Sequence, residues 1–308
     1  MVKLLFVLLG SFWLSCGNTA EAVQNETASS EEKTETIQAM TSDTITEEAS
    51  VISSEEIIQR EQPTEEVVIE KEEPIESNEL LKEKTKVIEN MISLPNHEQW
   101  NKLLTTYVND KGDVDYKSFL NDISALEEYL DHLAKNSPKK DWSKNEKLAY
   151  YINLYNAATV KLILDNYPTK SIKDIKNPWG KDWVKTGEGV LSLGDIEHKI
   201  LRKMNEPRIH FAINCASFSC PKLLNKAFTA TQMEAQLQKA TVDFVNDSSR
   251  NIISTEKMLL SNIFKWYKKD FTENGSLTDY IKPYTEVNID VDTDIDYLKY
   301  DWNLNEAQ

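Results

Sequence analysis

Apolar residues are spread very unevenly along the chain. Leu4 to Leu14 form one apolar run behind Lys3. Residues 17–90 then hold no Phe, Trp or Tyr, and their small β-branched patches, such as Val67-Val68-Ile69, stand isolated between charges. Beyond about residue 91 apolar positions recur with regular periods. A short helix is predicted over residues 79–93 and a helix over 98–108, with a turn at Asp110-Lys111-Gly112. A single helix from Tyr116 to Leu133 places Phe119, Leu120, Ile123, Leu126, Leu130 and Leu133 on one face, before Ser137-Pro138 breaks it. Ser143 and Glu146 have the spacing of a capping box, and the helix they open runs to about Asp165. That segment is apolar almost all round, the pattern of a central buried helix.

Further on, a hairpin is expected over 183–194 around Gly187 and Gly189, and a short helix over 195–203. Arg208 to Cys215 reads as a strand, with a helix opening at Pro221. An amphipathic helix over 231–246, a hairpin over 251–260 and a helix over 261–270 complete the reading. Helices followed by strands, without regular alternation, argue for an α+β fold, a helix-rich domain around a small antiparallel sheet, rather than a doubly wound one.

Charge sharpens the division. The whole chain carries a formal net charge of −16, of which residues 17–90 contribute −14 and residues 91–308 only −3. The acidic, aromatic-free segment buries too little apolar surface to offset its ordering entropy, so 17–90 reads as a disordered tether. Residues 91–308 hold 25 of the 28 aromatic residues and read as the globular domain, without an internal repeat or a Pro/Gly-rich linker. Residues 1–16 have the polarity and length of an export signal, too short for a membrane span. Ser15-Cys16-Gly17 at its end resembles a bacterial lipobox, although Trp13 stands where a smaller aliphatic residue is usual. That resemblance implies acylation of Cys16 and anchoring to a bacterial envelope membrane without spanning it. Ordinary secretion is the plainer alternative. An acid excess argues against a nucleic-acid partner; the near-neutral domain leaves a peptide, a glycan or a small molecule open.

Chemistry concentrates in three places. In Ile209 to Pro221, a strand would put His210 and Asn214 on one face and Cys215 on the other, and a following helix N-terminus would favour a Cys215 thiolate. Cys215 and Cys220 are equally readable as a disulfide pair in an exported protein, or Cys215 as a small core residue. A C-x4-C pair without a second such pair is a weak zinc set, so no metal or other cofactor is expected. In Leu193 to Arg202, His198 is a candidate base, and Glu197 beside it a candidate orienting carboxylate or helix-end group; a packing role for His198 is the alternative. Asn153 and Asn156, three apart on the apolar helix, face nearly the same way and would either orient a catalytic group or pin loop backbone. His97 and His132 are given no role.

Glu146 to Ala157, Leu193 to Arg202, Arg208 to Pro221, Ser261 to Phe271 and Tyr300 to Asn305 together resemble the domain of unknown function 547 family, over about residues 95–305. Tyr151 departs from it, standing where many relatives carry Trp. The resemblance implies a fold related to papain-like or transglutaminase-like thiol enzymes with rearranged element order. It also implies that Cys215 is the relevant thiol and His198 the histidine of the motif, since relatives vary at the position of Cys220. Two functions follow. One is a lipid-anchored thiol hydrolase or acyl transferase acting on peptide or amide bonds. Cys215 would attack, His198 or His210 would move the proton, Glu197, Asn153 or Asn156 would orient the imidazole, and backbone N–H groups near 216–221 would hold the oxyanion. The alternative is a non-catalytic surface binding module with a Cys215–Cys220 disulfide.

Overall fold

The computed structural model describes residues 82–85 and 94–308. The segment read as an export signal with Cys16, and the segment read as a tether apart from residues 82–85, lie outside the described residues. Residues 82–85 form one exposed helical turn within the helix expected over 79–93. Among the described residues no helix is long and apolar enough to cross a membrane.

The first half is helical. Helix α1 (Glu98–Tyr107) buries Trp100, Leu103 and Leu104. The predicted single helix from Tyr116 divides into α2 (Tyr116–Phe119), a 3-10 turn at Leu120–Asp122, and α3 (Ile123–Lys135). Two distant anchors hold the two parts. The Tyr116 hydroxyl donates to Asn305 at 2.8 Å, while Asp122 at the break accepts from Tyr107 at 2.6 Å. Helix α4 (Lys144–Leu164) begins at the predicted Ser143/Glu146 capping box and buries fourteen side chains from Leu148 to Leu164. It is the axis of the helical core, which includes Trp100, Tyr129, Leu154, Ile163 and Ile196.

The predicted hairpin is β1 (Val184–Thr186) paired with β2 (Gly189–Leu191), its turn using a positive φ at Gly189. The segment that follows is a π-helix at Asp195–Ile200 continuing as a 3-10 turn at Leu201–Met204. The strand expected from Arg208 to Cys215 is absent. Pro207 opens a 3-10 helix, Pro207–Phe211, whose start is fixed by Glu206: its carboxylate accepts from the Arg208 backbone and guanidinium. The predicted strand alternation therefore does not hold: Ile209 and Phe211, which it would set on one face, part, one joining the helical core and the other a second core. Residues 212–224 run as irregular chain with turns, and no helix opens at Pro221.

Helix α5 (Met233–Val245) leads to a second sheet. Strands β3 (Ile252–Ile253) and β4 (Lys257–Leu260) form the expected antiparallel pair, but β5 (Asp294–Tyr297) adds to β4 in parallel. The sheet is thus mixed rather than antiparallel. Strand β5 is absent from the sequence reading, although the alternation from Ile289 to Tyr297 (IDVDTDIDY) is a strand signal. The helix expected over 261–270 is broken at Tyr267 into α6 (Asn262–Trp266) and α7 (Lys268–Phe271), with α8 (Leu277–Ile281) beyond. Phe211 and Phe264 contact each other and both Phe244 and Phe271 in the second core. Trp302 packs against both cores. The result is a helix-rich α+β domain with two small open sheets, and nothing in it singles out a papain or transglutaminase arrangement.

Candidate functional site

Asn156 of α4 holds the cysteine segment in place. Its Nδ2 donates to Ala212 O at 3.0 Å and its Oδ1 accepts from Asn214 N at 2.8 Å. One turn earlier, Asn153 brackets Phe228 in the same way, through both backbone groups. Both amides are buried and braced against backbone, so neither orients an imidazole. Asn214 repeats the device within its own loop, donating to Pro221 O and accepting from Ala216 N, both at 2.8 Å. Ala216 is thereby kept at φ 58°, a left-handed conformation that costs a non-glycine residue on the order of 1 kcal/mol or more. A sharp bend in the chain directly after Cys215 is the outcome.

Cys215 is half-buried, Cys220 is buried, and both are free thiols, so the disulfide alternative is not formed in this structure. The Cys215 N–H donates to Cys220 Sγ at 3.0 Å. Cys215 Sγ lies 3.0 Å from Ser217 Oγ and 3.4 Å from the Tyr300 hydroxyl, and these two hydroxyls are 2.9 Å apart. A hydrogen bond from the Cys220 thiol, with those from the Ser217 and Tyr300 hydroxyls, outweighs burial and holds the Cys215 thiol below its ordinary pKa. Burial instead pushes Cys220 well up, leaving it a neutral thiol. The acidifying groups are therefore hydroxyls and a thiol, not the helix N-terminus that the sequence suggests.

The histidines stand apart from the sulfur. Among the described residues no histidine nitrogen hydrogen-bonds Cys215. His198 is half-exposed on the π-helix, its Nδ1 3.6 Å from Glu197 and 3.4 Å from Arg202. His210 is buried, stacked on Tyr267 with ring centroids 3.9 Å apart, and its Nε2 meets Asp270 Oδ2 at 2.8 Å. Desolvation lowers the His210 pKa against the opposing pull of Asp270, which favours the neutral ring. Burial would raise the Asp270 carboxyl, but two bonds from Arg202 and one from His210 hold it well below the usual carboxylate range. Glu197 is buried and accepts from the hydroxyls of Tyr267 and Tyr155.

The expected oxyanion donors are already engaged. The N–H groups of Ala216, Phe218, Ser219 and Cys220 bond Asn214 Oδ1 and the carbonyls of Asn303, Asp301 and Ser217. The Ser217 N–H points at the Cys215 sulfur, and Pro221 has no N–H to give. No preorganised donor pair within 216–221 is left for a developing oxyanion, so that expectation fails.

What the segment does line is a cleft of about 270 Å³. Cys215, Cys220, Glu197, His198 and His210 reach it, as do Tyr155, Trp179, Trp266, Tyr267, Tyr300 and Trp302. The rings of Trp266, Tyr300 and Trp302 touch one another, with centroids 4.5 to 5.7 Å apart. Five of the six residues named from sequence as catalytic either line this cleft or, like Asn156, brace the loop that does; Asn153 braces a different loop. Ser217, Asp270, Tyr300 and the tryptophans are absent from the sequence-derived site. For Trp266, Asp270, Tyr300 and Trp302 the signal is the aromatic density of Ser261 to Phe271 and Tyr300 to Asn305, which points to the family resemblance rather than to a site.

Residues 139–245 match the family described as Protein of unknown function, DUF547. No curated protein and no solved structure matches the chain. The DUF547 stretch carries α4, the π-helix and the cysteine loop, and hence both asparagines, Glu197, both histidines and both cysteines. It ends before Asp270, Trp266, Tyr267, Tyr300 and Trp302, so one wall of the cleft is built from chain beyond it. Among the described residues no cluster of His, Cys, Asp and Glu has the makings of a metal site.

Proposed function

We propose that the domain is a non-catalytic binding module whose ligand enters the aromatic cleft at Cys215, with both cysteines as thiols. One observation carries this reading: the cleft converges aromatic faces and a few buried polar groups, as ligand sites do, while the thiol has neither a histidine partner nor a free oxyanion donor beside it. The test uses p-nitrophenyl acetate and the full chain. The binding reading expects at most one stoichiometric acetylation and no sustained release of p-nitrophenol. Multiple turnovers that vanish in Cys215→Ala would overturn it.

A second reading, a thiol hydrolase or acyl transferase acting on peptide or amide bonds, draws support from the acidified Cys215 and from the His210–Asp270 pair lining the same cleft. In that reading Cys215 attacks the carbonyl and His210 carries the proton, oriented by Asp270, with no metal or cofactor. We also propose that acylated Cys16 tethers the module to an envelope membrane after export. Detergent-phase partitioning of the protein made in a lipoprotein-processing bacterium tests this: equal partitioning of the chain and of Cys16→Ser sinks it.

A further inference from the structure

We infer that the cleft recognises an organic ammonium group, a primary or alkylated amine of a ligand, held between Glu197 and the wall formed by Trp266, Tyr300 and Trp302. The inference rests on the binding reading above and names its ligand class.

Three observations lead there. First, Glu197 is only 5 % exposed, yet no lysine or arginine pairs with it among the described residues. Its nearest ionisable neighbour is the His198 ring, 3.6 Å away, and Arg202 and His210 act on it only at longer range, without a direct bond. A buried carboxylate is costly unless it is paired or fully hydrogen-bonded. The hydroxyls of Tyr155 and Tyr267 take one oxygen each, and a carboxylate has about four acceptor sites. Capacity for a cation is thus left over on a side chain that lines the cleft.

Second, the described residues lining the cleft include no lysine and no arginine; the positive side chains that come near it, Lys173 and Arg202, sit at the rings of Trp302 and Tyr267 and are not themselves part of the lining. The other acidic group at the cleft is the Cys215 thiol. Anions are disfavoured by the same arrangement.

Third, the aromatic rings already attract cations from the chain. Lys173 Nζ sits 5.0 Å from the Trp302 ring centroid, and the Arg202 guanidinium 5.3 Å from that of Tyr267. Indole faces are the best aromatic partners for ammonium groups. Trp266 is 47 % exposed and stands in contact with Trp302 and Tyr300, which leaves it accessible to an incoming cation.

The experiment titrates the full chain with choline chloride and with its neutral isostere 3,3-dimethyl-1-butanol, following tryptophan indole resonances by NMR. Nα-acetyl-lysine methylamide and the norleucine analogue form a second arm, which separates a free amine from a peptide-borne one. The expected result is binding of at least one ammonium probe about tenfold tighter than its neutral partner, a difference worth about 1.4 kcal/mol. Glu197→Gln should abolish that preference without changing the affinity for the neutral compound, and Trp266→Leu should weaken the ammonium probe. Because Trp266 is exposed, the second variant keeps the test intact if the first does not fold. Equal binding of charged and neutral partners, or saturable binding of methyl β-glucoside alone, overturns the ammonium assignment and leaves the binding module standing. Silence of every probe also overturns the assignment, whereas the turnover assay above bears on the binding module.

Discussion

The helical core around α4 and the aromatic core around Phe264 are built by opposite means. In the first, one long amphipathic-to-apolar helix is nucleated locally, by the Ser143/Glu146 box, and its neighbours α1 and α3 lay short-spaced apolar faces against it. In the second no helix of the 262–281 stretch exceeds five residues, and order comes from ring-on-ring packing and from a parallel strand arriving late in the chain. Helices so short do not hold in water by propensity, so packing must supply their stability. The cleft takes its thiol, Glu197 and histidines from the DUF547 stretch and much of its aromatic wall from the later region. A site of this kind needs both cores before it exists.

The largest test of the contrast removes one side chain from each core. Phe264→Ala, deleting a fully buried ring that touches three other phenylalanines, should cost about 4 kcal/mol. Leu154→Ala in α4 should cost about 3 kcal/mol. If the two cores fold as one unit, each variant shifts a single denaturant transition seen by every probe. Two separate transitions would mean that the two cores fold independently.

Acid provides the next largest effect. Beside each core stands one histidine whose pKa falls on folding, part-buried His97 and buried His210. His97, bonded through Nδ1 to Tyr129 at 2.7 Å, is lowered to about 4, by desolvation first and by His132 second. His210 is lowered by desolvation. A folded-state value below the unfolded value means that the unfolded chain takes up the proton first as pH falls. Stability is therefore complete above about pH 6.5 and declines below it. For His97 the loss should reach about 3 kcal/mol by pH 4. Thermal unfolding of the chain and of His97→Gln from pH 7 to pH 4.5 measures it: the variant should show a flatter decline, and parallel curves would refute the assignment.

The smallest effect on stability is expected at the cleft itself. Ser217→Ala removes the hydroxyl 3.0 Å from Cys215 Sγ, so the thiol should titrate at higher pH. The pH dependence of iodoacetamide alkylation reads this directly, with Cys215→Ala as the blank. Stability should change by only about 1 kcal/mol. An unmoved titration midpoint would mean that Tyr300 and Cys220 suffice to hold the thiolate.

The sequence alone determined what depends on neighbours within a helical turn or a hairpin. The capping box of α4, the 183–194 hairpin, α5 and the 252–260 pair all lie where spacing and turn residues put them. Cys215, Glu197 and His210, which line one cleft, stood out in the sequence as well, because polar and sulfur groups contrast with an apolar run. Tertiary structure decided the rest. Arg208 to Cys215 has a strand's composition, but Pro207 and the Glu206–Arg208–Glu234 clamp start a 3-10 turn there. The helix after residue 261 breaks at Tyr267, whose hydroxyl bonds Glu197, 70 positions away. Asp270 meets His210 across 60 positions and Tyr300 meets Cys215 across 85. Such pairings leave no local periodicity, because their free energy is gained only when distant segments have already docked. Composition and spacing therefore told where the chemistry lies, and the docking of the aromatic core decided what kind of site it became: a thiol held by hydroxyls in an aromatic cleft, in place of a thiol handed to a histidine.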